Sequence, residues 1–208
     1  MGPKEPGILG GASIALIDGE RLLDLARRSV SSALETASVP SISERFPSDG
    51  VLGGPGAVFV TLRGGDGRLR GCIGTLSPKF QTVAEETWRM AREAAFGDSR
   101  FPAVRAQELP WLQFEVSLVG PMEEVEDLKM LDPRRYGIVV SAMDGRRGAL
   151  LPNIEGVETI EAQVSVARRK GGILPAERIR VRRFETWHFA EKGSDGGRDG
   201  GIANRPSS

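Results

Sequence analysis

The sequence predicts an α+β protein, mainly antiparallel sheet with flanking helices. Three observations support this. Apolar runs of strand length arrive in pairs around short turns: 57–62 with 68–76 around Gly64-Gly65-Asp66-Gly67, and 136–143 with 148–151 around Asp144-Gly145. Segments of helical period fall between these hairpins and do not alternate with single strands, which argues against a parallel βαβ sheet. The 208 residues, 39% of them hydrophobic, suffice for one large domain or two small lobes with a real core.

Taken in order, residues 1–18 mix glycine, proline and short apolar side chains and are expected to be a flexible tail. A helix is expected over 19–36. Asp18 is placed to cap it, and Leu22, Leu23, Ala26, Val30, Ala33 and Leu34 recur at helical spacing. Pro40 and Pro47 mark a loop that runs to Pro55. After the first hairpin, Ser77 is a suitable N-cap with Pro78 at the first helical position. The helix it opens is expected to reach Ala95, with Phe80, Val83, Ala84, Trp88, Ala91 and Ala95 on its apolar face. Residues 111–119 alternate as a strand: Leu112, Phe114, Val116 and Leu118 share one face, and Gln113, Glu115 and Ser117 the other. A helix over 157–170 stops at Gly171, and 178–189 reads as one last strand. From Lys192 the chain is glycine- and serine-rich. The expected organisation is therefore one domain over 19–190 and a disordered C-terminal tail over 191–208.

Composition narrows the function classes. Lys+Arg and Asp+Glu both number 28, so no net field draws the chain to nucleic acid or to a membrane, and both partners are disfavoured. The charge is nevertheless uneven. Six acids and no base lie over 108–127, and seven bases against Glu177 alone over 168–183, so two opposed patches are expected if those segments are exposed. A single cysteine allows no intrachain disulfide and suits a reducing, cytoplasmic setting. Residues 1–11 lack the pattern of a secretory signal, and no run approaches the roughly 18 apolar residues of a membrane span. No phosphate loop, dinucleotide fingerprint or zinc-type Cys/His cluster occurs, so the cofactor is unknown.

The candidate chemistry centres on Leu69-Arg70-Gly71-Cys72-Ile73-Gly74-Thr75-Leu76. Glycines inside a strand mark a bulge or a close approach by backbone or ligand, which singles out Gly71 and Gly74. Cys72 between them is either a small buried hydrophobe or a nucleophile. A nucleophile needs a cation or helix N-terminus to favour its thiolate. Arg70 and the helix after Ser77-Pro78 are the candidates, and strand parity turns Arg70 and Cys72 the same way unless a bulge intervenes. The only histidine, His188, lies in the apolar Trp187-His188-Phe189 and reads as a partly buried structural residue. Asp98 or Glu115 is then the acid/base candidate. In Phe96-Gly97-Asp98-Ser99-Arg100-Phe101, Arg100 either pairs with Asp98 or joins Arg70 in holding a substrate carboxylate or phosphate. The run Arg178-Ile179-Arg180-Val181-Arg182-Arg183 is a half-buried strand with an arginine face, either solvated or a surface for nucleic acid or another anionic partner, with few aromatics to stack bases.

The octet around Cys72, the preceding 57–62, the 94–101 segment, Glu108-Leu109 with Phe114-Glu115-Val116-Ser117-Leu118, Tyr136-Gly137-Ile138-Val139-Val140 and Gly148-Ala149-Leu150-Leu151-Pro152 together resemble the AMMECR-type domain family in order over about 20–190. That resemblance implies an α+β domain of two unequal lobes with a cleft on which Cys72, Asp98, Arg100 and Glu115 converge. It implies Memo-type and radical-SAM partners, the AmmeMemoRadiSam system, and no settled reaction. Tyr136 and Asn153 stand where the family commonly has histidine and glutamine. Two functions follow as expectations. The first is an enzyme acting on a small anionic substrate, with Cys72 as nucleophile, Glu115 or Asp98 as acid/base, and Arg70, Gly71, Gly74, Arg100 and Tyr136 binding the substrate. The second is a non-catalytic binding or scaffold protein working with those partners on an anionic molecule or peptide. A nucleic-acid binder ranks third.

Overall fold

The structure, a computed structural model, describes residues 16–35 and 46–191. The expected tails, apart from 16–18 and Glu191, lie outside these. The described residues divide into two compact units of unequal size, 16–119 with 187–191 and 120–186. Both carry a four-stranded antiparallel sheet with helices against it, the α+β class expected.

The first unit contains α1 (Leu16–Glu35), the short α2 (Gly50–Gly53), β1 (Ala57–Arg63), β2 (Leu69–Gly74), α3 (Val83–Arg92), β3 (Gln113–Val119) and β8 (Thr186–Ala190). Its strand order is β2-β1-β3-β8. Strand alternation sends Val58, Val60 and Leu62 of β1 and Phe114, Val116 and Leu118 of β3 to one face, where they pack on Leu22, Ala26 and Val30 of α1 and Val83, Trp88 and Ala91 of α3. Each valine, leucine or phenylalanine among them contributes about 1.5–3 kcal/mol by leaving water. The opposite face carries Phe59, Thr61, Arg63, Gln113, Glu115 and Ser117.

Two helix starts in this unit differ from expectation, and the helix expected over 157–170 begins at Ile160, after its Thr159 cap. The first helix begins at Leu16, so Asp18 lies within its first turn, 3.8 Å from Arg21, and does not cap it. The third begins at Val83, capped by Thr82, whose hydroxyl accepts from the Glu85 amide at 3.1 Å. Ser77 and Pro78 stay outside. The reason is Glu86, fully buried, which accepts from the Thr75 hydroxyl (2.6 Å) and the amides of Lys79 and Phe80 (2.9 Å each). Its carboxylate satisfies these N–H groups in a loop, leaving no need for a helical turn.

The second unit contains β4 (Glu123–Glu124), β5 (Gly137–Ala142), β6 (Arg147–Leu150), α4 (Ile160–Lys170) and β7 (Ile179–Phe184), with strand order β4-β7-β5-β6. Ile138, Val140, Leu150, Val181 and Ala167 form its core. The single strand expected over 178–189 is two strands in two sheets, parted at Glu185, whose carbonyl accepts from the Gly120 amide at 2.9 Å. α4 seats on β6 at Gly148, where a Cβ would lie 1.8 Å from the Ala167 carbonyl oxygen and 2.6 Å from the Gly171 nitrogen. Both obstacles are backbone. Gly148→Ala should therefore destabilise the protein by about 1–3 kcal/mol in urea unfolding, whereas Gly54→Ala, with only an ordinary contact at 3.9 Å, should stay within about 0.5 kcal/mol.

Candidate functional site

Cys72 lies on β2, the edge strand of the first sheet. On the inner side β2 pairs with β1 in the register Gly74 with Phe59, Cys72 with Thr61, and Gly71 with Leu62; Leu69 then faces Arg63. Arg70 is left over, so the register shift is a bulge at Arg70. Parity between Arg70 and Cys72 is broken there. Arg70 pairs with Glu108, Nε to Oε2 at 2.7 Å and Nη2 to Oε1 at 3.1 Å. Glu108 comes from a short 3₁₀ turn, Ala106–Trp111, and also accepts from the Arg105 amide. The Arg70 fork is thus committed to a protein carboxylate, which holds the Glu108 carboxyl below its usual range.

On the outer side no strand follows. The Cys72 N–H donates to Asp98 Oδ2 at 2.9 Å, and the Cys72 carbonyl accepts from Arg100 Nη2 at 3.1 Å. Asp98 and Arg100 are joined bidentately, Nε to Oδ1 at 2.9 Å and Nη2 to Oδ2 at 2.7 Å. The pair presents one acceptor and one donor to the strand edge, as a neighbouring strand would. Asp98 is only 5% exposed. Arg100's hydrogen bond, joined by the Cys72 and Arg100 amides, overcomes burial and holds the Asp98 carboxyl well below the ordinary carboxylate range. Such a group holds backbone and does not exchange protons near neutral pH.

A π turn, Glu93–Gly97, carries the chain from α3 to Asp98. It explains Gly71: a Cβ there would lie 2.1 Å from the Ala94 carbonyl oxygen. A Cβ on Gly74 would strike the Phe59 ring at 2.3 Å. Both glycines therefore answer to the protein's own close packing.

Cys72 itself is half-buried. Its Sγ accepts from the Thr61 hydroxyl at 3.3 Å, and Thr61 stands opposite Glu115. Cys72, Thr61 and Glu115 thus form one row across three strands on the face away from the helices. Glu115 Oε1 accepts from Arg63 Nε at 2.6 Å. In the next row Gly74 and Phe59 are followed by Ser117, whose hydroxyl is 3.0 Å from His188 Nδ1. Burial lowers the pKa of His188, with Glu115 opposing and Arg63 adding to the shift, so the ring is neutral at neutral pH. His188 was detectable in the sequence. Phe189 and Trp187 pack on the core, and alternation puts His188 on the opposite, polar face.

Tyr136 belongs to the second unit. Its carbonyl accepts from Gln163 Nε2 at 2.7 Å, and its ring lies under the guanidinium groups of Arg183 (4.3 Å) and Arg135 (5.0 Å). Among the described residues no group of three or more His, Cys, Asp or Glu could hold a metal ion, and no helix is long and apolar enough to cross a membrane.

The AMMECR1 family model matches residues 23–189. The chain belongs to the AMMECR1 family. A Thermotoga maritima protein is 47% identical over 115 residues, which cover 55% of this chain and 66% of that protein. A Clostridium acetobutylicum protein is 37% identical over 161 residues, covering 77% of this chain and 34% of its own length. This AMMECR1-family chain therefore matches about two thirds of the first relative and one third of the second. The crystal structure of uncharacterized protein PH0010 from Pyrococcus horikoshii is similar, with a TM-score of 0.74 at 30% identity, covering 84% of this chain and 92% of that one.

Two outcomes are expected. Asp98→Asn should cost about 1–3 kcal/mol at pH 7. Because the folded Asp98 has a lowered pKa, its contribution is complete above the ordinary Asp value of about 3.9 and is lost as pH falls toward the folded value. The gap between wild type and variant in urea unfolding should therefore narrow below about pH 4. For His188 the unfolded chain binds the proton first. Stability should decline as pH falls below about 6.5, and His188→Gln should flatten that decline in the same assay. No other histidine can contribute to it.

Proposed function

We propose that the Cys72 face of the first unit binds a small anionic molecule and acts on it through the Cys72 thiol. The observation that carries this is the position of Sγ: it leaves the core side, receives the Thr61 hydroxyl, and shares a row with Glu115. The Thr61 hydroxyl fixes where the sulfur, the candidate nucleophile, points. Glu115 gives one oxygen to Arg63 and offers the other to a bound molecule as acid or base. The cations for an anion are Arg63, 40% exposed, and Arg100, 54% exposed with Nη1 still open to a ligand. Arg70 and Asp98 act one step back, by fixing β2.

A second function is favoured by one observation. Asp98, Arg100, Arg70 and Glu108 are all engaged in holding the strand, the pattern of a surface built for shape. On this account the same face is a docking site for a Memo-type or radical-SAM partner and no bond is made or broken.

Alkylation of Cys72 with iodoacetamide at neutral pH separates the two. The first function expects labelling of the native protein at a rate comparable to that in denaturant, slowed by a cognate carboxylate or phosphate. Labelling that requires denaturant would overturn it. Cys72→Ala with full partner binding and full cellular function would favour the second.

A further inference from the structure

We propose that the second sheet carries a phosphate site formed by Arg147, Ser141 and Arg180, which takes the dianionic phosphate of a small phosphomonoester. The site is independent of the Cys72 chemistry.

The register places it. Ser141 on β5 faces Arg147 on β6 and Arg180 on β7. Directly opposed residues of antiparallel strands project to the same face with Cβ atoms about 4.5–5.5 Å apart. Across β6, β5 and β7 the row is therefore guanidinium, hydroxyl, guanidinium. It lies on the face away from α4, because the alternate positions Val140, Ala142 and Val181 fill the core under that helix. Arg147 and Arg180 are exposed and Ser141 is half-buried.

Four neighbouring arginines make the contrast; Arg178 and Arg182 do not. Arg146 holds Asp144 and Glu177, Arg183 holds Glu123, Arg135 holds Glu185, and Arg168 caps the carbonyls of Leu174 and Glu177. Among the described residues, the side chains of Arg147, Ser141 and Arg180 have no hydrogen-bond or ion-pair partner. Two like charges flanking one residue across adjacent strands repel. Glu124 stands opposite Arg182 on this face, and the Val125 amide continues the pairing at the Val181 carbonyl (3.0 Å), which brings Glu126 level with Arg180; among the described residues neither acid is ion-paired to Arg147 or Arg180. A bound anion would relieve the repulsion, and guanidinium forks with a hydroxyl between them match phosphate oxygens.

Charge selects the monoester. Two guanidinium groups balance a group carrying about −1.5 to −2 charges near neutral pH, whereas a phosphodiester carries one. Stacking selects against nucleic acid. The aromatic residue on this face, Phe184, is 1% exposed and lies over Gly137, so no ring is free for a base.

The test uses the full chain at low ionic strength, titrated with inorganic phosphate and with O-phosphoserine. The amide of Ser141 and the Nε–H signals of Arg147 and Arg180 are followed by NMR. A saturable one-to-one shift of these signals is expected, with a dissociation constant on the order of 1 mM. Binding should tighten as pH rises through the second phosphate ionisation near about 6. Arg147→Gln and Arg180→Gln should each weaken it about tenfold, and Arg178→Gln should leave it within about twofold. The same spectra report whether each variant is folded. The site is refuted by the absence of a saturable shift at about 30 mM phosphate. It is equally refuted by equal weakening in Arg178→Gln, or by tighter binding of an oligonucleotide without terminal phosphates than of phosphoserine.

Discussion

The first sheet ends on the strand that carries the cysteine, and everything around Cys72 depends on how that edge is closed. A bare edge leaves N–H and C=O groups without partners and invites another chain to pair with them. Here one buried carboxylate and one arginine take the place of the missing strand: Asp98 accepts from the Cys72 amide and Arg100 donates to the Cys72 carbonyl. The π turn that delivers Asp98 rests its Ala94 carbonyl on Gly71, so the end of α3 and the middle of β2 are fixed to each other. On the inner side, the bulge at Arg70 and its pair with Glu108 fix the strand's start. Cys72 is thus held at its backbone from both sides, while its side chain makes only one bond, to Thr61.

This closure changes what the charged residues near Cys72 are for. Asp98, Arg70 and Arg100 have the residue types of an acid and an anion clamp, and the sequence offers no way to tell that use from a structural one. The distinction lies in partners 26, 28 and 38 residues away, which local periodicity does not encode. What periodicity does encode came through. The two hairpins, the alternating core of β3 and the α+β class all follow from side-chain repeats of two and 3.6. Two of the differences share one cause. Glu86 sits on a helix and reaches back to organise the loop before it, so the local Ser77-Pro78 signal for a helix start is overridden. The break at Glu185 is invisible because both flanking strands alternate in the same way, and only their pairing partners differ.

The polar face of the first sheet shows the same long-range logic. Thr61, Glu115 and Ser117 each look like solvated strand positions in isolation. Register turns them into neighbours of Cys72, Arg63 and His188. A buried imidazole kept neutral beside a serine hydroxyl stays uncharged where an exposed one would begin to protonate. The face therefore mixes a thiol, a neutral ring and one carboxylate–guanidinium pair, a set with few fixed charges of its own.

Pairing takes up part of the two opposed charge runs. Acids of the 108–127 segment meet arginines from other parts of the chain: Glu108 with Arg70, Glu115 with Arg63, Glu123 with Arg183. Glu177, the one acid within the basic run, meets Arg146. Most of the arginine in this protein is internal mortar between strands and turns. In a chain whose 28 bases match 28 acids, a basic side chain left without an acid is set apart by register, not by composition. Arg147 and Arg180 are such side chains because β5 puts a serine between them where a carboxylate would have completed the pattern. A glutamate at position 141 would place a carboxylate between the two guanidinium groups; the serine leaves two positive charges facing one hydroxyl, which a bound anion would neutralise.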